Sequence, residues 1–274
     1  MGAKFCIDRQ RLIESATMRL AVCLRNRKPT AAPSRKIDMS DKVVRSQEKW
    51  HEFLSFLDQH MPSRWIFRGQ SSEAWDLRPS AGRKPGYDPL FEERVFRVFK
   101  KDARLHTHMP ETNDWDWLAL GQHFGLPTRL LDWSTNPLVA CFFALMDESY
   151  DKESAVVYAY PLNEKQIVDP SDAETWPSPF KLKEVGFMLP SSLAPRISNQ
   201  RGLFSIHPRP DEPWRPKEIE EHKFIIPAEF RYTFQRKLFR MGVDAAHIWA
   251  NLEGVCGSLR WQYDRRLGIS AAGL

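Results

Sequence analysis

The feature that most constrains this chain is a nine-residue apolar run, Leu138 to Met146, that follows directly on Asn136-Pro137. Asn is a favoured helix N-cap and Pro is favoured at the first helical position, so the run reads as a helix from there through Leu145. That helix is hydrophobic nearly all round, and such a helix has to be enclosed by other elements. Nine residues fall far short of the roughly 20 needed to cross a bilayer, so the run predicts a buried centre and no transmembrane segment. The 274 residues, 42% hydrophobic and 27% charged, suffice for a sizeable core and exclude disorder throughout.

Elements to surround the centre are legible on both sides. Trp50, Phe53, Leu54 and Leu57 recur at helical spacing behind Ser46, predicting an amphipathic helix over 46–60 with Ser46 as N-cap. Trp65-Ile66-Phe67 is a short aromatic and β-branched strand that delivers Arg68 to its end, with Gly69 behind it. Asp88-Pro89 opens a helix to about Ala103, and residues 114–124 form another, stopped by Gly125 and Pro127. Leu130-Leu131 is a short buried strand, and Trp133 and Phe143 flank the central strand-to-helix turn as core residues. Ala155–Tyr160 is a strand, residues 161–190 read as irregular, and short strands follow near Leu203–Ile206 and Phe224–Ile226. Phe230 to Met241 make a helix ended by Gly242, and Ile248, Leu252, Val255 and Leu259 make one last helix capped by Asp244. No repeat and no linker divides the chain after residue 39, so the prediction is a single mixed α+β domain over 39–274.

Charge is unevenly placed. Residues 1–38 hold nine Lys/Arg against three Asp/Glu, an excess of six, so the net +5 of the chain leaves the remainder at −1. The basic balance belongs to an N-terminal extension, read as solvated and unstructured, with Met39-Ser40-Asp41 as the start of the fold. Nucleic-acid contact is open to that extension, while the domain carries no basic surplus. Cys6, Cys23, Cys141 and Cys256 show no C-x-x-C pair, so neither a disulfide framework nor a zinc knuckle is implied and a reducing cytoplasm fits.

Dinucleotide, P-loop, zincin and nucleophile-elbow fingerprints are absent. His106 and His108 with Asp114 and Asp116 lack a third ligand in register, and surface histidines and capping aspartates explain them better than a metal. Three segments are chemically denser. In Trp65–Gln70, Arg68 has a planar donor fork suited to phosphate, or else a buried ion pair with Asp132; Gly69 lets the backbone turn away or a ligand approach. In Gly121–Pro137, more donors and acceptors stand between two apolar helices than a connection needs. There Ser134 is a helix cap or a ligand-binding hydroxyl, and His123 a site residue or a core histidine. Pro195–His207 is a polar turn feeding a Gly-started strand, as at a site edge or an ordinary hairpin.

Phe67-Arg68-Gly69-Gln70, the run Gln122-His123-x-Gly125-Leu126-Pro127-Thr128-Arg129-Leu130-Leu131-Asp132-Trp133-Ser134, the Asn136-Pro137…Phe142-Phe143-Ala144 helix and Asn199-Gln200-x-Gly202-Leu203-Phe204 resemble the FRG domain family over about residues 60–260. That family is widespread in bacteria and phages, and the alternative to an enzyme that the resemblance implies is a binding module in a phage-defence or toxin system. The family's order of an Arg, a Ser and a late polar residue is similar to the Arg–Ser–Glu order of ADP-ribosyltransferases. The resemblance implies an ADP-ribosyltransferase-like split sheet with flanking helices and NAD as substrate, turned over by ADP-ribosyl transfer to an unknown macromolecular acceptor or by glycohydrolysis. Arg68, Gly69, Gln70, His123 and Arg129 would bind the nucleotide, and Ser134, Gln200, Glu253 and Asp132 would form the catalytic set. Gln200 stands where the Glu is expected, and a neutral amide cannot stabilise oxocarbenium charge as a carboxylate does. The carboxylate then comes from Glu253 or Asp132, or the domain is a non-catalytic module that binds a phosphate-bearing ligand. Trp249–Gly254 also departs from the family's usual Phe-Pro-Asp-Leu-Asp-Gly-like stretch, leaving no carboxylate at 251.

Overall fold

Asn136 and Asp88 act as the sequence predicts: each side chain accepts the backbone N–H two residues on, each is followed by a proline, and each starts a helix. They belong to a computed structural model that describes residues 39–61, 64–107, 113–189 and 202–267. Its main elements, in chain order, are α1 (Met39–Gln59), β1 (Trp65–Gln70), α2 (Pro89–Ala103), α3 (Asp114–His123), β2 (Leu130–Ser134), α4 (Pro137–Leu145), β3 (Ala155–Pro161), β4 (Gly186–Met188), β5 (Gly202–Ile206), α5 (Lys217–Glu221), β6 (Lys223–Ile226), α6 (Arg231–Arg240), α7 (Ala245–Trp249) and α8 (Leu252–Asp264). The architecture is α+β. Among the described residues no helix is long and apolar enough to cross a membrane.

The strands form one sheet in the order β4-β5-β2-β1-β3-β6, with every neighbouring pair antiparallel. The expected split sheet is therefore a single sheet, but its two halves are unequally joined. β1 meets β3 over six residue pairs and β2 meets β5 over five, whereas β1 and β2 meet only at Phe67 and Ser134. The sheet has a weak seam at its centre.

Side chains alternate across a strand, and the two faces of the sheet bury different clusters. On one face, Phe67, Val157 and Ile226 pack with α4 and with Trp50, Phe53, Phe234 and Ile248. Across the seam on the same face, Leu130, Phe204 and Ile206 pack under α2 and α3, with Phe96 and Trp115. The opposite face carries an aromatic layer, Trp133, Tyr158, Tyr160 and Phe187, covered by Ile219 and Trp214. The central α4 buries Val139, Ala140, Cys141, Ala144 and Leu145, as its all-round hydrophobicity requires.

Several sequence expectations are corrected. The first helix begins at Met39, and Ser46 is a buried residue within it and not its cap, because no proline or glycine stops the helix upstream. The 161–190 stretch contains β4, a three-residue strand that depends on β5 for its ladder. The last helix is two: Ala250 adopts a left-handed conformation at φ 45°, and Asn251 caps a new start. Trp133 is core as expected, while Phe143 is only half-buried. The N-terminal extension, His108 and most of the Pro195–His207 turn, Gln200 included, lie outside the described residues.

Candidate functional site

Beyond Phe67 and Ser134 the seam opens into a cleft of about 310 Å³. Arg68 and Gly69 of β1, Asp132 and Ser134 of β2, Ala140 and Phe143 of α4, and Gly202 and Phe204 of β5 form its walls. Three of the predicted segments thus converge: the end of the Trp65–Gln70 strand, the Leu130–Ser134 strand, and the start of the late strand.

Arg68 spans the seam. Its Nη1 donates to the Asp132 carbonyl at 2.6 Å, supplying the hydrogen bond that a continued ladder would have given. The Asp132 carboxylate is 3.9 Å away at Oδ2, a long ion pair in which the Arg68 side chain is 11% exposed and the Asp132 side chain 67%. Burial pushes the Arg68 guanidinium down to about 10, Asp132 partly opposes this, and Arg83 adds to it. Its Nε is buried without a hydrogen-bond partner, so the group remains a cation whose desolvation is incompletely repaid at the rim of a cleft.

Gly69 borders the cleft and has a further use that the sequence did not suggest. A Cβ there would stand 1.9 Å from the Ala140 carbonyl oxygen, so the glycine allows α4 to lie directly on β1. Ser134 is buried and borders the cleft; the helix cap is Asn136 and not Ser134, whose Oγ accepts the Asn136 N–H at 3.0 Å in the turn before it. Asp132 is held from behind: Gln122 Nε2 donates to its Oδ1 at 2.9 Å, and Thr128 Oγ1 donates to Gln122 Oε1. Gln122 and Thr128 lie in the polar run singled out by sequence, where neither was assigned a role.

Other predicted site residues stand apart from the cleft. Gln70 is buried, its Nε2 donating to the Asp76 carbonyl at 3.4 Å. His123 packs edge-on against Phe124 with ring centroids 4.9 Å apart. Arg129 is buried and committed to Glu92, Nη2 to Oε2 at 2.6 Å and Nε to Oε1 at 3.2 Å, with Tyr87 and Phe180 around it. Glu253 is exposed in the first turn of α8 and is no part of the cleft wall. Among the described residues no cluster of three or more His, Cys, Asp or Glu could hold a metal, and Asp114 is paired with Lys100.

Sequence reasoning missed a buried network behind the cleft: Trp133 Nε1 donates to Ser205 Oγ at 2.8 Å, which meets His207 Nε2 at 2.8 Å. His207 is pushed down to about 3 by burial and by Arg68. A serine two residues before a histidine in a late strand is too ordinary a pattern to signal this.

No curated protein and no solved structure matches the chain. The family model of the FRG domain matches residues 63–153, which take in β1, α2, α3, β2 and α4 and hence Arg68, Gln122, Thr128, Asp132 and Ser134. The elements that build the greater part of the cleft lie within the matched stretch, so residues 63–153 of the chain carry an FRG domain.

Proposed function

We propose that the cleft at the β1–β2 seam receives a nucleotide-type ligand, with NAD as the substrate, and that the domain breaks the bond between nicotinamide and its ribose, passing the ADP-ribosyl group to water or to an acceptor. The observation that carries this reading is the convergence of Arg68, Asp132 and Ser134 on one cleft from distant stretches of the chain. Arg68 is charged at neutral pH and under-partnered, so an anionic pyrophosphate would relieve its burial. Asp132 is the carboxylate among the described wall residues, and it would stabilise positive charge at the ribose carbon as the C–N electron pair leaves with nicotinamide. Ser134 contributes a hydroxyl oxygen at the β2 end of the wall.

A second reading, binding without turnover, is favoured by one observation: Glu253, the other carboxylate the sequence offered, is no part of the described cleft wall. The two readings separate on nicotinamide release. Wild-type protein incubated with NAD should release nicotinamide, and Asp132→Asn should lower the rate while leaving NAD affinity within about threefold. NAD bound with no release in wild type selects the binding module. Arg68→Lys keeps the charge but loses the planar fork, so NAD affinity should fall about tenfold to a hundredfold, and Arg68→Ala at least as far. A folded Arg68→Ala protein that binds NAD like wild type removes the phosphate-binding role, and with it this proposal.

A further inference from the structure

We infer that Thr128 and Gln122 are positioning residues that fix which oxygen of the Asp132 carboxylate faces the cleft. The inference rests on the reading of the β1–β2 seam as the ligand site, and it follows from the direction of each hydrogen bond. The Leu130 N–H donates to Thr128 Oγ1 at 3.3 Å, so that oxygen accepts from one side. Its own proton is directed to Gln122 Oε1, since a carbonyl oxygen can only accept. The amide of Gln122 is thereby oriented with its NH₂ end toward Asp132, where Nε2 donates to Oδ1 at 2.9 Å. A flipped amide would set Oε1 against the Asp132 carboxylate, two acceptors face to face, and would take away the carbonyl that accepts the Thr128 hydroxyl. The chain has one polarity, from backbone N–H through hydroxyl and amide to carboxylate. Oδ1 is consumed, and Oδ2 is left on the Arg68 side of the cleft.

The anchor is rigid where the carboxylate is not. Thr128 is fully buried, its N–H donates to Ser80 Oγ at 3.1 Å, and its carbonyl accepts the Ala81 N–H at 3.1 Å. The Asp132 side chain is two-thirds exposed and would otherwise sample several rotamers. Gln122, at the end of α3, connects the two. Supporting groups that lock a reacting carboxylate typically change activity by tens-fold when removed, because small displacements of a reacting group are costly.

The test uses the full chain and reads the relay itself as well as its effect. In ¹H–¹⁵N spectra the Gln122 side-chain amide, assigned by its loss in Gln122→Met, should be shifted from the position of a free glutamine and exchange slowly. It should remain so in Thr128→Ser and return to the free position in Thr128→Val, with thermal midpoints recorded alongside. With NAD as probe, Thr128→Val and Gln122→Met should each lower kcat about tenfold or more with KM changed less. Thr128→Ser should stay within about threefold of wild type, and the double variant should be no worse than the worse single, as for one relay. An amide signal unmoved by Thr128→Val, or losses that multiply in the double variant, overturns the inference. If wild-type protein ignores NAD while the amide signature and its Thr128 dependence are present, the relay stands and the reading of the cleft falls.

Discussion

Gly69 shows how a residue's neighbours, and not its type, decide what it does. Its Cβ would meet the Ala140 carbonyl oxygen at 1.9 Å and the Ala144 nitrogen at 2.7 Å, and both are backbone atoms of α4 that cannot rotate aside. Gly69→Ala must therefore push the central helix off β1, and the expected cost is about 3 kcal/mol, read as a lowered urea midpoint. A variant as stable as wild type would show that α4 does not lie on β1 this closely. The same lesson holds for the two arginines the sequence offered as phosphate ligands. Arg68 was legible because its partner candidate, Asp132, stands in the same motif set; what was not legible is that the short contact goes to the Asp132 carbonyl, since that depends on β1 and β2 parting. Arg129 looked equivalent, but Glu92 on α2, 37 residues earlier, takes its fork bidentately, and nothing in the local sequence announces so distant a partner.

At the scale of elements, the boundaries that carry a proline or a capping side chain were readable, and those set by a backbone conformation were not. Asp88-Pro89 and Asn136-Pro137 start helices where expected. The break between α7 and α8 went unread because Ala250 is the best of helix formers and Ile248, Leu252, Val255 and Leu259 continue a helical period across it. In the structure Ile248 is core while Leu252 is 77% exposed, so the period joins residues that share no environment. Ala250 in the left-handed region is strained, whereas glycine adopts it freely. Ala250→Gly should raise stability by about 1 kcal/mol despite the added freedom of the unfolded chain. Asn251→Ala should lower it by a similar amount by removing the oxygen that accepts the Gly254 N–H at 2.8 Å. Opposite shifts of the thermal midpoint are expected, and two shifts of the same sign would place the helix break elsewhere. The short β4 was missed for a different reason: three residues carry almost no periodic signal, and their strand exists through pairing with β5.

For the whole molecule, the sheet's two halves are held together less by their own ladder than by what is packed on either side of the seam, and two buried histidines make that packing depend on pH. His207 packs against Trp214 over the aromatic layer, and its Nε2 is hydrogen-bonded to the Ser205 hydroxyl, which accepts the Trp133 N–H; burial and Arg68 hold it down at about 3. His60 closes the end of α1 against the other half: its Nδ1 donates to the Phe56 carbonyl at 2.6 Å and its Nε2 faces His222 Nδ1 at 3.1 Å, with burial and His222 lowering its pKa despite the Phe56 carbonyl. His207 is neutral in the folded chain and His60 holds its proton less tightly than an unfolded histidine, which binds one near 6.5. Below that value the unfolded state takes up protons that the folded state refuses, so this stability is present above pH 6.5 and is lost as pH falls toward the folded values. His207 adds a slope of up to about 1.4 kcal/mol per pH unit, and His60 acts in the same direction. Between pH 7.5 and 5 most carboxylates stay ionised, so the histidines dominate the change. Urea midpoints should therefore fall steadily over that range in wild type, and His207→Gln, which keeps an acceptor for Ser205, should flatten the curve by removing one titrating group. A wild-type curve level from pH 7.5 to 5 would mean that these rings are open to solvent. A slope unchanged in His207→Gln but reduced in His60→Gln would assign the sensitivity to the docking of α1 alone, leaving the layer behind the cleft indifferent to pH.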